Sequence, residues 1–425
     1  MNNLLKIFVV FLGVCLLDAC ENNQPEGKKP DAIEKYSVTP INGGAIITYS
    51  IPDDPNILYV MAEYERNGKQ RTERSSTYGN SLTIEGFNTM ESVSAFLYTV
   101  NKNETKSDPL PVQFTPLESP VSLVRKSANV ISGFGGIVVS WTNIAKAEMG
   151  LRLMVNEDGE MIEKEMYFSS LPSDKRPFRG FESVETFFAL TFEDPWGNIS
   201  DTVYFNGIPL PEREIQKPWT NVSPSIPFDN VSSYDNRTPV SSLWSNQIGV
   251  NNWSHYLTAS GSTGCSFTFD FGQILKLSRM QMWPFIQMTN SDATQVVYGN
   301  LNVLGFEMWG AKTLDPSKLA GDRSYWLHPN SAREEEMELP EYTFMDDWVY
   351  LGRYEVERLD FLGITDDEIY AKGFEGYPFD IPIECDPVRY IRFFPLCSIN
   401  GCPIPGNWWR IQELSFWGDI NVPQE

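Results

Sequence analysis

Histidine, the commonest general base, is almost absent from this sequence: only His255 and His328 occur among 425 residues. A Ser–His–Asp hydrolase would have to use one of them, and neither stands beside a nucleophile motif. No HExxH, G-x-S-x-G or Walker loop occurs. Glycoside cleavage needs only two carboxylates. The 56 acidic residues supply many pairs, but most acids are solvated surface and their number singles out none. A different chemistry suits the sequence better. A sugar ring is apolar on its C–H faces and polar at its rim, so it is held by a flat aromatic with amide or guanidinium donors beside it. Two segments mix those residue types. Trp244-Ser-Asn-Gln-Ile-Gly-Val-Asn-Asn-Trp-Ser-His-Tyr256 offers Asn252, Trp253, His255 and Tyr256. Pro405-Gly-Asn-Trp-Trp-Arg410 offers Asn407, Trp408, Trp409 and Arg410.

The elements around these residues decide which way they face. Strand side chains alternate between two faces, so adjacent tryptophans cannot both be buried by alternation alone. Leu414 and Phe416 alternate with Ser415 and are expected to face a core, with Trp417 supporting the same strand. Trp408 and Trp409 precede that strand, behind Pro403, Pro405 and Gly406, and are therefore expected in a loop. There, one indole can pack beneath the loop while the other forms a platform; alternatively both plug the end of the fold.

Charge narrows the partners. A formal net charge of −23 lacks the basic footprint that nucleic acid requires. It also disfavours anionic lipid surfaces. The N-terminus carries Lys6 and then an apolar run from Ile7 to Leu17, too short for a bilayer core of ~30 Å. It has the form of a secretory signal. Leu17-Asp-Ala-Cys20 resembles a bacterial lipobox of the looser kind, which implies cleavage before Cys20 and its acylation. An ordinary secretory signal with a chance cysteine is the alternative. Lipidation would anchor a soluble body without a spanning helix. Later in the chain, Cys397 and Cys402 bracket an Asn-Gly turn that could bring the sulfurs together, and export exposes them to oxidant. Buried free thiols are the other outcome.

The first half repeats. Gly43-Gly-Ala-Ile-Ile-Thr-Tyr-Ser50 is answered about 92 residues later by Gly135-Gly-Ile-Val-Val-Ser-Trp-Thr142. Asn67-Gly68 answers Asp158-Gly159, and both mark tight hairpins. Each copy has the length and turn spacing of an immunoglobulin-like or fibronectin-III-like sandwich, with Trp141 expected in a core. Beyond Glu212 tryptophan becomes frequent and short strands continue.

The order of those strands carries a resemblance. Phe267-Thr-Phe-Asp-Phe-Gly272, Phe306-Glu-Met-Trp-Gly310, Arg389-Tyr-Ile-Arg-Phe393 and Glu413-Leu-Ser-Phe-Trp-Gly418 resemble the strands of a discoidin-like (coagulation factor 5/8 type C) domain, a β-sandwich jelly roll. In discoidin-like carbohydrate-binding modules ligands meet loops at one end, where the two tryptophan-bearing segments would fall. The resemblance also implies a structural calcium, with Asp229, Ser242 and Glu413 as ligands of the hard-oxygen kind. The family's Asp-Gly-Asp-like spacing is missing here. Ser317–Met345, with an acidic run at Glu334-Glu-Glu336, exceeds the usual spacing and is expected to be a surface insertion.

The expected fold is all-β: two immunoglobulin/fibronectin-III-like sandwiches followed by a discoidin-like jelly roll. The expected divisions are 1–19 signal peptide, 20–30 tether, 31–117 and 118–211 sandwiches, and 212–421 jelly roll. The combination resembles surface glycan-binding lipoproteins of Bacteroidetes polysaccharide utilisation loci. That resemblance implies a non-catalytic, outer-membrane, outward-facing lipoprotein with no required cofactor. Its partners would be a glycan, the membrane through Cys20, and an outer-membrane transporter complex. A protein-interaction scaffold and a glycoside-cleaving enzyme are the alternatives.

Overall fold

The computed structural model describes residues 28–424, except 231, 250–252, 262–265, 288–291, 300, 330–338, 405 and 407. The expectations for the signal segment, Cys20, Asn252 and Asn407 lie outside the described residues. Two compact units divide the chain. One runs to Asn129 and adds Ser140–Lys175 and Phe188–Phe205; the other holds Val130–Val139, Arg176–Phe187 and Asn206–Glu425.

The architecture is all-β. The first repeat contains β1 (Tyr36–Ile41), β2 (Gly44–Tyr49), β3 (Ile57–Arg66), β4 (Lys69–Ser76), β5 (Ser81–Glu85), β6 (Val93–Asn101) and β7 (Leu110–Phe114). They form a three-stranded sheet, β1-β2-β5, and a four-stranded sheet, β4-β3-β6-β7. The second repeat contains β8 (Asn129–Gly133), β9 (Gly136–Thr142), β10 (Met149–Glu157), β11 (Glu160–Ser169), β12 (Ser173–Phe178), β13 (Thr186–Glu193) and β14 (Val203–Gly207). Its sheets, β12-β9-β8 and β11-β10-β13-β14, reproduce the first repeat strand for strand. Both repeats therefore have the immunoglobulin/fibronectin-III-like arrangement that the sequence anticipates.

The hairpin signals explain the register. Arg66 pairs with Lys69 across Asn67-Gly68, and Glu157 with Glu160 across Asp158-Gly159. All four turn residues have positive φ, 51° and 70° in one turn and 52° and 93° in the other. A two-residue turn with that twist needs Asn or Asp followed by Gly. Alternation then places Ile47, Val60, Ala62, Leu97 and Val112 in the first core, while Trp141 packs edge-on against Phe192 and Tyr167.

The C-terminal region contains β15 (Arg213–Glu214), β16 (Thr220–Asn221), β17 (Tyr256–Leu257), β18 (Phe267–Trp283), β19 (Val303–Ala311), β20 (Val349–Glu355), β21 (Tyr377–Asp380), β22 (Val388–Ser398), β23 (Arg410–Ile411) and β24 (Glu413–Asp419). The 17-residue β18 organises it. Its first part pairs with β16 and β22; after an irregularity between Asp270 and Leu275, its second part pairs with β21 and β24. Phe267, Phe269, Met280 and Met282 from this strand meet Phe306, Phe393, Leu414 and Phe416 in one core. Short helices, including a capped one at Asp366–Glu375, fill the connections.

Two details go beyond the sequence expectations here. Ser415 is buried like its neighbours Leu414 and Phe416, because its hydroxyl accepts Lys217 Nζ at 2.9 Å. Alternation on β24 thus separates two covered faces rather than core from solvent. The 317–345 segment is also not merely a surface insertion. Its Tyr325, Trp326 and Phe344 join Trp348, Phe394 and Leu396 in a second buried cluster. That cluster covers the face of β22 turned away from the main core. Among the described residues, no helix is long and apolar enough to cross a membrane.

Candidate functional site

Loops between strands carry most of the sequence-selected residues, and the structure sorts them by burial. Trp409 is fully buried. Its ring stands edge-on to Tyr256 at 5.1 Å and stacks on Phe267 at 5.7 Å. Its backbone N–H donates to Thr258 Oγ1 at 2.9 Å. Tyr256 is 1% exposed and begins β17, which pairs with β23. Trp409 and Tyr256 are therefore core residues, a correction to their place in the expected binding set. Trp244 is likewise core, against Trp219 and Phe269.

Trp253 differs: 52% of its surface is exposed. Its ring lies 5.9 Å from both His255 and Phe285, and the Arg237 guanidinium sits 5.7 Å over it. Phe285 is the common support. His255 packs on it at 4.1 Å, and the Arg410 guanidinium lies 4.7 Å from the ring centre. Trp253, His255 and Arg410, from two segments distant in sequence, therefore meet on one phenylalanine. Sequence reasoning missed Phe285 and Arg237. Phe285 follows Trp283-Pro284 at the end of β18, and Arg237 lies in an Asp-Asn-Arg loop; neither signal is specific.

The hydrogen-bonding capacity of this cluster is largely unspent. Both ring nitrogens of His255, Nε of Arg410 and Nε1 of Trp408 are buried and find no partner among the described residues. His255 is fully enclosed, a correction to its place in the expected binding set. Burial first, and the Arg410 cation second, bring its imidazole down to about 4. The ring is neutral near pH 7. Burial alone brings Arg410 down to about 10, leaving it a cation at neutral pH. Asp235, which also faces His255, is engaged by Arg237 through Nε at 3.1 Å and Nη2 at 2.6 Å.

The residues expected to hold calcium make other contacts here. Asp229 accepts Nε of Arg392 at 2.9 Å and the hydroxyls of Ser266 and Thr268 at 2.7 and 2.5 Å. Glu413 accepts Lys217 Nζ at 2.5 Å and the Ser245 N–H at 3.2 Å. The two carboxylates are each engaged by a different cation. Ser242 is buried in a short 3-10 turn, Val240–Trp244. Among the described residues no cluster of three or more His, Cys, Asp or Glu is arranged to hold a metal. Cys397 and Cys402 are joined by a disulfide, with Cα atoms 4.4 Å apart.

A second concavity, of about 490 Å³, lies beside the 317–345 segment and is lined by Lys312, Lys318, Tyr325, Tyr342, Asp347 and Trp348. Asp347 accepts both tyrosine hydroxyls, and Lys318 Nζ lies 4.5 and 4.7 Å from the two tyrosine rings. Its polar groups are thus largely spent on one another.

Fold and site together define an all-β protein with an aromatic and cationic loop cluster and no recognisable catalytic constellation among the described residues. Residues 30–116 match a family model described as Domain of unknown function (DUF4959). Residues 117–218 match DUF5126, and 244–418 match DUF5000, both likewise described as domains of unknown function. No curated protein matches the chain. Among solved structures, the chain is similar to a SusE-like protein, BT2857, at 21% identity and TM-score 0.40, covering 70% of this chain and 98% of that one. A Family 89 Glycoside Hydrolase from Clostridium perfringens is similar at 9% identity and TM-score 0.26, over 50% of this chain and 16% of that one. The FN1–FN3 domains of chicken CNTN1 are similar at 11% identity and TM-score 0.20, over 62% of this chain and 83% of that one.

Proposed function

We propose that this chain is a non-catalytic surface protein that binds a polysaccharide or oligosaccharide through the loop cluster of its C-terminal β-sandwich. The half-exposed Trp253 carries this reading. Its indole packs, tilted, against His255 and Phe285, with the Arg237 guanidinium 5.7 Å from the ring centre. Such packing fixes a flat apolar face before any ligand arrives, which lowers the ordering cost of binding. The guanidinium of Arg410, only partly buried and set against Phe285, supplies the polar part of sugar recognition. The resemblance of the strand series to discoidin-like modules supports the same end of the domain as the ligand end. Lipidation at Cys20 would place the chain on the outer membrane facing outward, with the two repeats as spacers and a transporter complex as neighbour.

Isothermal titration against a panel of neutral and acidic polysaccharides tests the function. Binding lost in Trp253→Ala supports it. No binding across the panel would count against it, and release of shortened product would move the protein among the enzymes. A protein-docking role is the second reading, favoured by Phe361 and Leu362, which are adjacent, apolar and largely exposed. Co-purification with a membrane partner that is lost in Phe361→Ser, without glycan affinity, would select it.

A further inference from the structure

Arginines in the C-terminal region are generally matched by carboxylates. Arg392 has Asp229, Arg389 has Asp270, Arg358 has Asp360 and Arg237 has Asp235. Arg410 has none among the described residues, in a chain where acids outnumber bases 56 to 33. Its position is nevertheless tightly fixed. Its N–H donates to the Leu301 carbonyl at 2.9 Å, and its strand pairs with Leu257. Its guanidinium lies on Phe285, with Nε buried and unpartnered. Taking a cation partly out of water without a counter-charge is costly, and an incoming anion recovers that cost.

We infer that the Arg410 guanidinium receives the anionic substituent of an acidic saccharide whose apolar face rests on Trp253. This rests on the saccharide reading above and names the ligand class. Trp253 and Arg410 flank the same ring, Phe285, at 5.9 and 4.7 Å, so one or two sugar units can meet both. A planar guanidinium forms paired hydrogen bonds to carboxylate and to sulfate-type oxygens. Arg237 does not substitute for it, because its charge is already met by Asp235. Diffuse attraction cannot account for polyanion binding here: the chain's formal charge of −23 repels polyanions, so recognition must be local.

The test titrates the full chain with polygalacturonate, chondroitin sulfate, unsulfated chondroitin and neutral galactan at about 0.15 M salt. The expected result is binding to an acidic polymer at least about tenfold tighter than to galactan. Arg410→Gln should remove that preference and Arg410→Lys should restore part of it. Preference for polygalacturonate assigns a carboxylate, and preference for chondroitin sulfate over both polygalacturonate and unsulfated chondroitin assigns a sulfate. Equal binding of galactan, unchanged in Arg410→Gln, overturns the acidic ligand while leaving a saccharide site. Absence of binding to all four, and to the wider panel, overturns both. If Arg410→Gln fails to fold, free galacturonate and galactose compete against the polymer on the unaltered chain. Equal displacement by the two then overturns the inference.

Discussion

Asp229 and Arg392 form an ion pair with no exposed side-chain surface on either partner, Nε lying 2.9 Å from the carboxylate. Arg392 also donates to the Trp326 carbonyl at 3.0 Å and the Pro227 carbonyl at 3.2 Å. Its guanidinium is enclosed by Trp326, Phe344 and Phe394 at 5.3, 4.5 and 4.9 Å. One arginine thus ties the segment between β16 and β17 to the 317–345 segment.

Breaking that pair from one side leaves a buried charge behind. Arg392→Met is expected to cost about 3–5 kcal/mol of stability. The double change with Asp229→Asn should cost less than the two single changes added together. Urea unfolding of the three variants decides; additive costs would mean that the pair is not coupled.

The two tryptophans on either side of the burial divide should separate in experiment. Trp409→Ala empties a packed core position and is expected to cost about 3–5 kcal/mol. Trp253→Ala should stay within about 1 kcal/mol while abolishing glycan affinity. Comparable melting of both variants would contradict the assignment of one to the core and the other to the surface.

Calcium should not stabilise the fold through Asp229 and Glu413. Adding a chelator, or millimolar calcium, is expected to leave the melting temperature unchanged. Lys217→Ala should instead destabilise by about 3–5 kcal/mol, because Glu413 would remain buried without its cation. A calcium-dependent rise in melting temperature that disappears in Glu413→Gln would restore the metal site.

His255 predicts a pH dependence. Its folded value of about 4 lies below the unfolded value of ~6.5, so between them the unfolded chain binds a proton that the folded chain refuses. Stability is therefore full above pH ~6.5 and falls as pH drops toward 4, by up to about 3 kcal/mol. His255→Phe removes this contribution. Its unfolding free energy should decline less than that of the unaltered chain between pH 7 and 4.5, and parallel declines would contradict the prediction.

Asn198 sits in the first compact unit with most of its hydrogen bonds made at once. Its Nδ2 donates to the Gly86 carbonyl at 3.0 Å and to Asp194 Oδ2 at 2.7 Å, while Asn67 Nδ2 donates to its Oδ1 at 3.3 Å. Asn198→Ala leaves those groups unmet and should cost about 1–3 kcal/mol. Limited proteolysis near residue 86 should accelerate; an unchanged cleavage rate would argue that water replaces the side chain.

The repeats were legible because their determinants are local. Asn67-Gly68 and Asp158-Gly159 can hardly be anything but tight hairpins, and one hairpin sets the register of two strands. The C-terminal aromatics were harder to place, because alternation cannot sort residues in loops. Trp408 and Trp409 look alike in sequence, yet the Trp409 ring is placed by Phe267 and Tyr256, far away in the chain. Arg392 was hidden for a similar reason. Alternation on β22 gives its face but not its burial, which depends on Trp326 and Phe344 arriving from the 317–345 segment.

The double membership of β18 bears on how the C-terminal sandwich comes apart. Phe267–Trp283 is one continuous strand, and Phe267 and Met282 anchor opposite ends of it in different partners. Because the two halves of one strand join both layers, opening of either layer is expected to loosen the other. Amide protons of β22 and β24 should then exchange through a shared opening event, and slow exchange at one should entail slow exchange at the other.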